Sequence, residues 1–156
     1  MITIVTGSRN AYKTTYLENF VADMENVDGI LSKKRFCGQR FDGYFVEHIA
    51  SGIRDEFLSL SVPSDEKIGE FYIQRKGLEF AKNRIRRAIL ENKVVVIDEL
   101  GQAELSERLF YDELRLLISK NVDAVLVIRE SLLTRYLEKF PQLRRAKIIE
   151  VTMNDK

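Results

Sequence analysis

The feature that most constrains this chain is a short apolar run followed by a loop that carries a lysine and a threonine. Ile2–Thr6 has the nearly continuous β-type composition of a strand buried on both faces. The next residues are Gly7-Ser8-Arg9-Asn10-Ala11-Tyr12-Lys13-Thr14-Thr15, after which apolar residues recur at helical spacing. A strand, a loop opened by glycine and a helix that begins with Lys-Thr are typical of a phosphate-binding loop.

This loop pattern predicts that residues 7–15 bind a nucleotide. Backbone N–H groups of such a loop close around the β-phosphate, and the N-terminus of the following helix adds a partial positive charge. We expect Lys13 to reach the β- and γ-phosphates and the Thr14 hydroxyl to bind Mg²⁺. Tyr12 stands where glycine is expected, and a side chain held in the left-handed region costs about 1–2 kcal/mol.

A second apolar run ends in two carboxylates. Asp98 and Glu99 follow Val94–Ile97, which has the composition of a buried strand. Because ligands of open parallel sheets lie just outside the carboxyl ends of the strands, we expect both carboxylates beside the loop. Asp98 would hold the metal through water, and Glu99 would orient or deprotonate the attacking water. Glu99 and Lys13 are therefore the expected catalytic residues.

Strands that alternate with helices predict an α/β fold, with a mainly parallel sheet covered by helices on both faces. Loose alternation between residues 29 and 60 predicts a small inserted meander of strands. The sequence contains no long linker, so residues 1–156 are expected to form one domain.

The spacing of apolar residues also predicts the individual elements. It predicts helices at Lys13–Met24, Gly77–Glu91, Ser106–Lys120 and Ser131–Phe140, and further strands at Val122–Ile128 and Lys147–Val151.

The charge and cysteine content of the sequence argue against some kinds of binding partner and cellular location. Lys and Arg number 25 against 24 acidic residues, and a net charge of +1 argues against a general attraction to nucleic acid or to membranes. Cys37 is the one cysteine, which excludes an intrachain disulfide and favours a reducing compartment. The sequence has no signal peptide and no apolar run of about 18 residues, so we expect a cytoplasmic protein with no membrane partner. His48, the only histidine, has no neighbours at zinc-ligand spacing.

Two basic features admit both a functional and a structural interpretation. Arg129 follows the predicted strand Val122–Ile128 and could contact the γ-phosphate, although arginines at strand ends are mostly solvated. A basic and aromatic hairpin could bind single-stranded nucleic acid, or it could be an ordinary part of the fold beside the site. Its residues are Lys33, Lys34, Arg35, Phe36, Arg40 and Phe41.

The segment Asp98-Glu99-Leu100-Gly101-Gln102-Ala103-Glu104-Leu105 resembles the Asp-Glu-Ile-Gly-x-Met-Glu-Leu motif of the small thermophile-type nucleoside triphosphatases, also called the cancer-related nucleoside-triphosphatase family. Residues 7–15 resemble the family's Gly-x-x-Gly-x-Gly-Lys-Thr-Thr loop, with Asn10 and Tyr12 in place of two glycines. The resemblance covers nearly the whole chain. It implies a three-layer P-loop fold with an additional catalytic glutamate, and Mg²⁺-dependent hydrolysis of ATP, GTP and other nucleoside triphosphates with loose base selectivity.

Two alternatives to hydrolysis remain open at this point. The loss of loop glycines would suit a degenerate nucleotide-binding switch or scaffold, because a Cβ could crowd the bound phosphate. A small phosphotransferase with an unknown acceptor would use the same residues. Tyr12 favours the switch or scaffold, whereas the presence of Lys13, Thr14, Asp98 and Glu99 together favours an enzyme.

Overall fold

The computed structural model describes residues 1–8 and 13–152. Its strands are β1 (Ile2–Gly7), β2 (Val27–Cys37), β3 (Arg40–His48), β4 (Arg54–Ser59), β5 (Lys67–Ile68), β6 (Phe71–Ile73), β7 (Val94–Leu100), β8 (Ala124–Arg129) and β9 (Lys147–Val151). Its helices are α1 (Lys13–Ala22), α2 (Arg75–Leu90), α3 (Gln102–Leu105), α4 (Tyr111–Ser119) and α5 (Glu130–Lys139), followed by a 3-10 helix over Pro141–Arg145.

All nine described strands form one mixed sheet in the order β5-β6-β4-β3-β2-β7-β8-β1-β9. The pairs β2–β7, β7–β8, β8–β1 and β1–β9 are parallel, whereas β2–β3, β3–β4, β4–β6 and β6–β5 are antiparallel. Apolar residues of α2, α4 and α5 bury one face of the sheet, and those of α1 bury the other. The predicted α/β fold with helices on both faces is confirmed.

One predicted helix is wrong at its beginning. The spacing of apolar residues indicates a helix over Ser106–Lys120, but α4 begins only at Tyr111, after the short helix α3 and a connecting loop. In that loop Glu107 and Leu109 have φ angles of 62° and 50°, in the left-handed region. A right-handed helix cannot pass through such residues, so the apolar pattern continues where the helix does not.

The strands predicted between residues 29 and 60 are observed as β2, β3 and β4, and β2 also joins the central sheet. Its first residues pair in parallel with β7, from Val27 opposite Val94 to Ile30 opposite Ile97. Gly29 makes this close pairing feasible, because it has a φ of 139° and a Cβ there would lie 2.1 Å from the Val96 carbonyl oxygen. The pairing carries Ser32 to the end of β7. The division of the chain into domains stays a prediction.

Two of the four cationic side chains in the basic hairpin formed by β2 and β3 are paired with acidic side chains. Lys33 Nζ lies 2.7 Å from Glu18 Oε1 of α1, and Arg35 forms ion pairs with Asp42 and Glu56. Two of its cationic side chains are therefore neutralised within the fold. The helices in the described part of the chain include none with the length and apolar composition needed to cross a membrane.

Candidate active site

The two motifs converge at the carboxyl ends of β1 and β7. The Thr14 hydroxyl, in the first turn of α1, donates a hydrogen bond of 2.9 Å to Asp98 Oδ2 on β7. Lys13 Nζ lies 3.8 Å from Glu99 Oε2. These contacts join side chains 84 or more residues apart, because β1 and β7 both flank β8 and run parallel to it. The structure thus brings together the four residues to which the sequence assigns chemistry.

The Lys13 side chain is buried and does not extend into solvent. Its Nζ donates a hydrogen bond of 2.6 Å to the Ser8 carbonyl oxygen. Gly7 ends β1, where it pairs with Arg129 and with Val151, and Thr15 lies exposed in the first turn of α1. The other loop residues for which nucleotide binding is predicted, Arg9, Asn10, Ala11 and Tyr12, lie outside the described residues.

Asp98 is a buried carboxylate with two hydrogen-bond donors on one oxygen. Besides the Thr14 hydroxyl, the backbone N–H of Ser32 donates to Oδ2 at 3.1 Å. Burial and the neighbouring charge of Glu99 raise the pKa of Asp98 to about 7, although both hydrogen bonds and the Lys13 ammonium oppose this rise. A bound cation would offset the free-energy cost of burying a negative charge, so the Asp98 carboxylate is suited to holding a cation.

Glu99 keeps one oxygen free of hydrogen bonds. Its side chain is 32% exposed, but Oε2 is buried and has no hydrogen-bond partner among the described residues. The nearby Lys13 ammonium, 3.8 Å away, is too distant for a hydrogen bond and contributes only its charge. An unsatisfied carboxylate oxygen beside a buried cation can accept a proton or a hydrogen bond from a bound molecule.

The oxygen atoms of Thr14 and Asp98 are of the ligand types that suit Mg²⁺. The described residues contain no group of three or more His, Cys, Asp or Glu side chains able to enclose a metal. Thr14 and Asp98 instead place a hydroxyl and a carboxylate 2.9 Å apart. Mg²⁺ is usually bound by one or two protein oxygens and takes its remaining ligands from water and substrate phosphates. These two residues therefore suit Mg²⁺ better than an ion that needs a full protein cage.

Arg129 ends β8 directly beside the strand that leads into the loop. It pairs with Gly7 across the β1–β8 ladder. Its side chain is half-buried, and Nε is buried without a hydrogen-bond partner among the described residues. The alternative interpretation of the sequence was a solvated arginine at a strand end. The half-buried Arg129 guanidinium, with an N–H donor that has no partner among the described residues, differs from that alternative. Its contact with phosphate stays a prediction.

Two residues that the sequence did not predict as site residues, Glu104 and Tyr136, make hydrogen bonds to the backbone that follows Glu99. Glu104 is 1% exposed, and its carboxylate accepts hydrogen bonds from the backbone N–H of Gly101 at 2.8 Å and of Phe110 at 3.2 Å. The Tyr136 hydroxyl donates to the Gly101 carbonyl oxygen at 2.5 Å. A glutamate three residues after a helix cap is a local signal that could have identified Glu104. Tyr136 had no such signal, because it lies on α5, 35 residues from its partner.

We expect the metal-free protein to become less stable as the pH rises from about 4 to about 7. Burial raises the pKa of both Asp98 and Glu104 to about 7, whereas unfolding returns them to the usual carboxyl range. The folded state therefore binds more protons than the unfolded state in this window, so the free energy of unfolding falls as protons are lost. One pKa unit corresponds to about 1.4 kcal/mol, which predicts a loss of a few kcal/mol.

Urea denaturation at pH 5 and pH 7.5, with a chelator present, measures this effect. Glu104→Gln removes one of the two titrating carboxyls, so its free energy of unfolding should depend less steeply on pH than that of the parent protein. A parent protein that is more stable at pH 7.5 than at pH 5 would contradict the prediction.

Comparison with known proteins identifies similar chains. A family model described as NTPase matches residues 2–156. The chain is 24% identical over 129 residues to nucleoside-triphosphatase THEP1 of Thermotoga maritima, covering 82% of this chain and 74% of the relative. It is 34% identical over 113 residues to the protein of that name from Methanothermobacter thermautotrophicus, covering 69% of this chain and 64% of the relative. The crystal structure of THEP1 from the hyperthermophile Aquifex aeolicus has the same fold, with a TM-score of 0.80 and 24% sequence identity. The match covers 100% of this chain and 92% of the Aquifex chain.

Proposed function

The chain belongs to the nucleoside-triphosphatase family that includes THEP1, and we propose that it hydrolyses nucleoside triphosphates with Mg²⁺ and with loose base selectivity. The observation that carries the proposal is the 2.9 Å hydrogen bond from Thr14 to Asp98. It joins the helix that follows the phosphate loop to the strand that carries the carboxylates. The loose base selectivity rests on the family alone.

The phosphates would lie against Lys13 and the N-terminus of α1. The Lys13 ammonium is desolvated, so an anionic ligand gains more from its charge than it would in water. Its present partner is the neutral Ser8 carbonyl oxygen, a hydrogen bond that phosphate oxygens can replace. Arg129, at the neighbouring strand end, is proposed to contact the γ-phosphate. Its unsatisfied Nε supports this role.

Thr14 and Asp98 would hold Mg²⁺, the first through its hydroxyl and the second through water. When bound there, Mg²⁺ supplies positive charge to the phosphate oxygens, on which negative charge develops during transfer. The Ser32 N–H fixes Asp98 Oδ2 from the neighbouring strand at 3.1 Å. This hydrogen bond helps to fix the orientation of the Asp98 carboxylate.

Glu99 would act on the attacking water. Its unpaired Oε2 accepts a proton from the water, while the water oxygen forms the new bond to the γ-phosphorus. The bond from that phosphorus to the β–γ bridging oxygen breaks, and the released diphosphate carries away the electron pair. The Lys13 ammonium, 3.8 Å from Glu99 Oε2, places a positive charge beside the carboxylate that accepts the proton.

Phosphate release from a panel of nucleoside triphosphates tests the proposal, with and without Mg²⁺, beside direct binding of ATP and ADP. We expect release that needs Mg²⁺ and similar kcat/KM values for ATP, GTP, CTP and UTP. Binding without release would instead favour a nucleotide-binding switch or scaffold. Release that appears only when a candidate acceptor is added would favour a phosphotransferase.

A further inference from the structure

The turn that follows Glu99 is held by two buried side chains from different parts of the fold. Glu104 accepts the Gly101 N–H at 2.8 Å, and Tyr136 donates its hydroxyl to the Gly101 carbonyl oxygen at 2.5 Å. We call Glu104 and Tyr136, with the backbone of Gly101 between them, the Gly101 clamp. Both side chains are almost fully buried, at 1% and 0% exposure.

The clamp acts on a residue that has little else to fix its conformation. A Cβ built on Gly101 meets no atom within 4 Å, so packing does not restrain this position. Glycine also has the widest choice of backbone conformations. The two hydrogen bonds hold the peptide groups on both sides of Gly101, and thereby remove the freedom that the residue type would otherwise allow.

The clamp also holds the irregular loop behind the site. The second oxygen of Glu104 accepts the Phe110 N–H at 3.2 Å, so a single carboxylate joins the start of α3 to the start of α4. Between them Glu107 and Leu109 adopt left-handed conformations, which are costly for residues with side chains. A buried carboxylate is also costly unless its hydrogen bonds are made. With both hydrogen bonds made, this carboxylate fixes the two ends of the loop relative to each other.

We propose that Glu104 and Tyr136 are positioning residues that set the orientation of the Glu99 carboxylate. Glu99 precedes Gly101 by two residues, and Leu100 between them is fully buried in the core. With Leu100 packed and Gly101 held, rotation of this short segment is restricted, and Glu99 Oε2 stays near Lys13. The inference rests on the proposed function, because it assigns these residues an effect on turnover through Glu99.

Tyr136→Phe is the central test, because it removes one hydroxyl and keeps the buried ring. We expect kcat to fall about 10–100-fold, the usual cost of losing a group that orients a functional side chain. The affinity for a non-hydrolysable ATP analogue should change less than about twofold, since neither clamp side chain is among the residues proposed to bind the phosphates. Tyr111→Phe is the matched control, because Tyr111 packs against the same Phe140 but lies outside the clamp. Equal kcat values for the two variants would overturn the proposal.

Glu104→Gln tests the other half of the clamp. An amide presents an N–H toward one of the backbone N–H donors, so one of the two hydrogen bonds is lost. Glu113→Gln is its control, because Glu113 is also a fully buried helical glutamate but pairs with Arg86 on α2. We expect both variants to lose stability and only Glu104→Gln to lose kcat per folded molecule. If Glu104→Gln does not fold, Tyr136→Phe still decides the question.

A double variant separates positioning from general structural damage. If Tyr136 acts through Glu99, then Glu99→Gln combined with Tyr136→Phe should show the same residual kcat as Glu99→Gln alone. A further loss of kcat by the factor seen for Tyr136→Phe alone would show an independent effect and overturn the proposal. If Glu99→Gln itself retains full turnover, the assignment of Glu99 fails together with the clamp. If only Tyr136→Phe is without effect, the clamp fails and the proposed function stands.

Discussion

Glu99→Gln is expected to lower kcat by roughly 10²–10⁴-fold while nucleotide binding is preserved. The substitution keeps the size of the side chain but removes its ability to accept a proton from water. Glu99 Oε2 accepts no hydrogen bond from the described residues, so an amide at this position leaves no donor without its acceptor. Phosphate release at saturating ATP and Mg²⁺ measures kcat, and calorimetry with a non-hydrolysable analogue measures binding.

Glu47→Gln is a suitable control for this variant. Glu47 is another partly buried glutamate at 17% side-chain exposure, and it forms ion pairs with Lys33 and Arg54 on the β2–β4 side of the sheet. Replacing the Glu47 carboxylate should leave kcat per folded molecule unchanged. Hydrolysis by Glu99→Gln at the parent rate would show that this carboxylate is structural.

Lys13→Ala is expected to weaken ATP binding by about 10–150-fold, because a charge-assisted contact of this kind contributes about 1.5–3 kcal/mol. Lys13 is buried, yet its nearest polar partners are the Ser8 carbonyl oxygen and the Glu99 carboxylate rather than the apolar core. Stability should therefore change less than affinity. Calorimetric titration with ATP and urea denaturation of the same sample measure the two quantities.

Lys82→Ala provides the comparison for the lysine variant. Lys82 is partly buried at 24% exposure and faces a carboxylate, with Nζ 3.9 Å from Glu113 Oε1, but it lies on α2 and outside the site. We expect its ATP affinity to match that of the parent protein. An unchanged affinity for Lys13→Ala as well would remove the phosphate-loop interpretation.

Local sequence was sufficient to single out the four residues that the structure brings together. Lys13 and Thr14 follow a β-type run, and Asp98 and Glu99 end another, so each pair is marked by its immediate neighbours. Parallel strands end at one edge of a sheet, and this rule predicted that the two pairs would meet. The 2.9 Å bond between Thr14 and Asp98 agrees with that expectation. The chemical roles of these residues stay predictions.

The tertiary structure decided what surrounds those residues. No local pattern placed the Ser32 N–H on Asp98, because that contact depends on the register of β2 against β7. Nor could apolar spacing show that the helix expected from Ser106 starts at Tyr111, because Leu109 fits the apolar spacing of α4 although its φ of 50° excludes it from the helix.

The sequence by itself determined the strands β1 and β7, the helix α1 that meets them, and the polar residue types present where they meet. Periodicity and short motifs record interactions between residues that are close along the chain, and these suffice for a strand, a loop and a helix. Only the tertiary structure joined Tyr136 to Gly101 and Arg129 to Gly7. Such contacts depend on how α5 and β8 pack, and packing is a sum of many weak interactions between distant segments that no single stretch of sequence encodes.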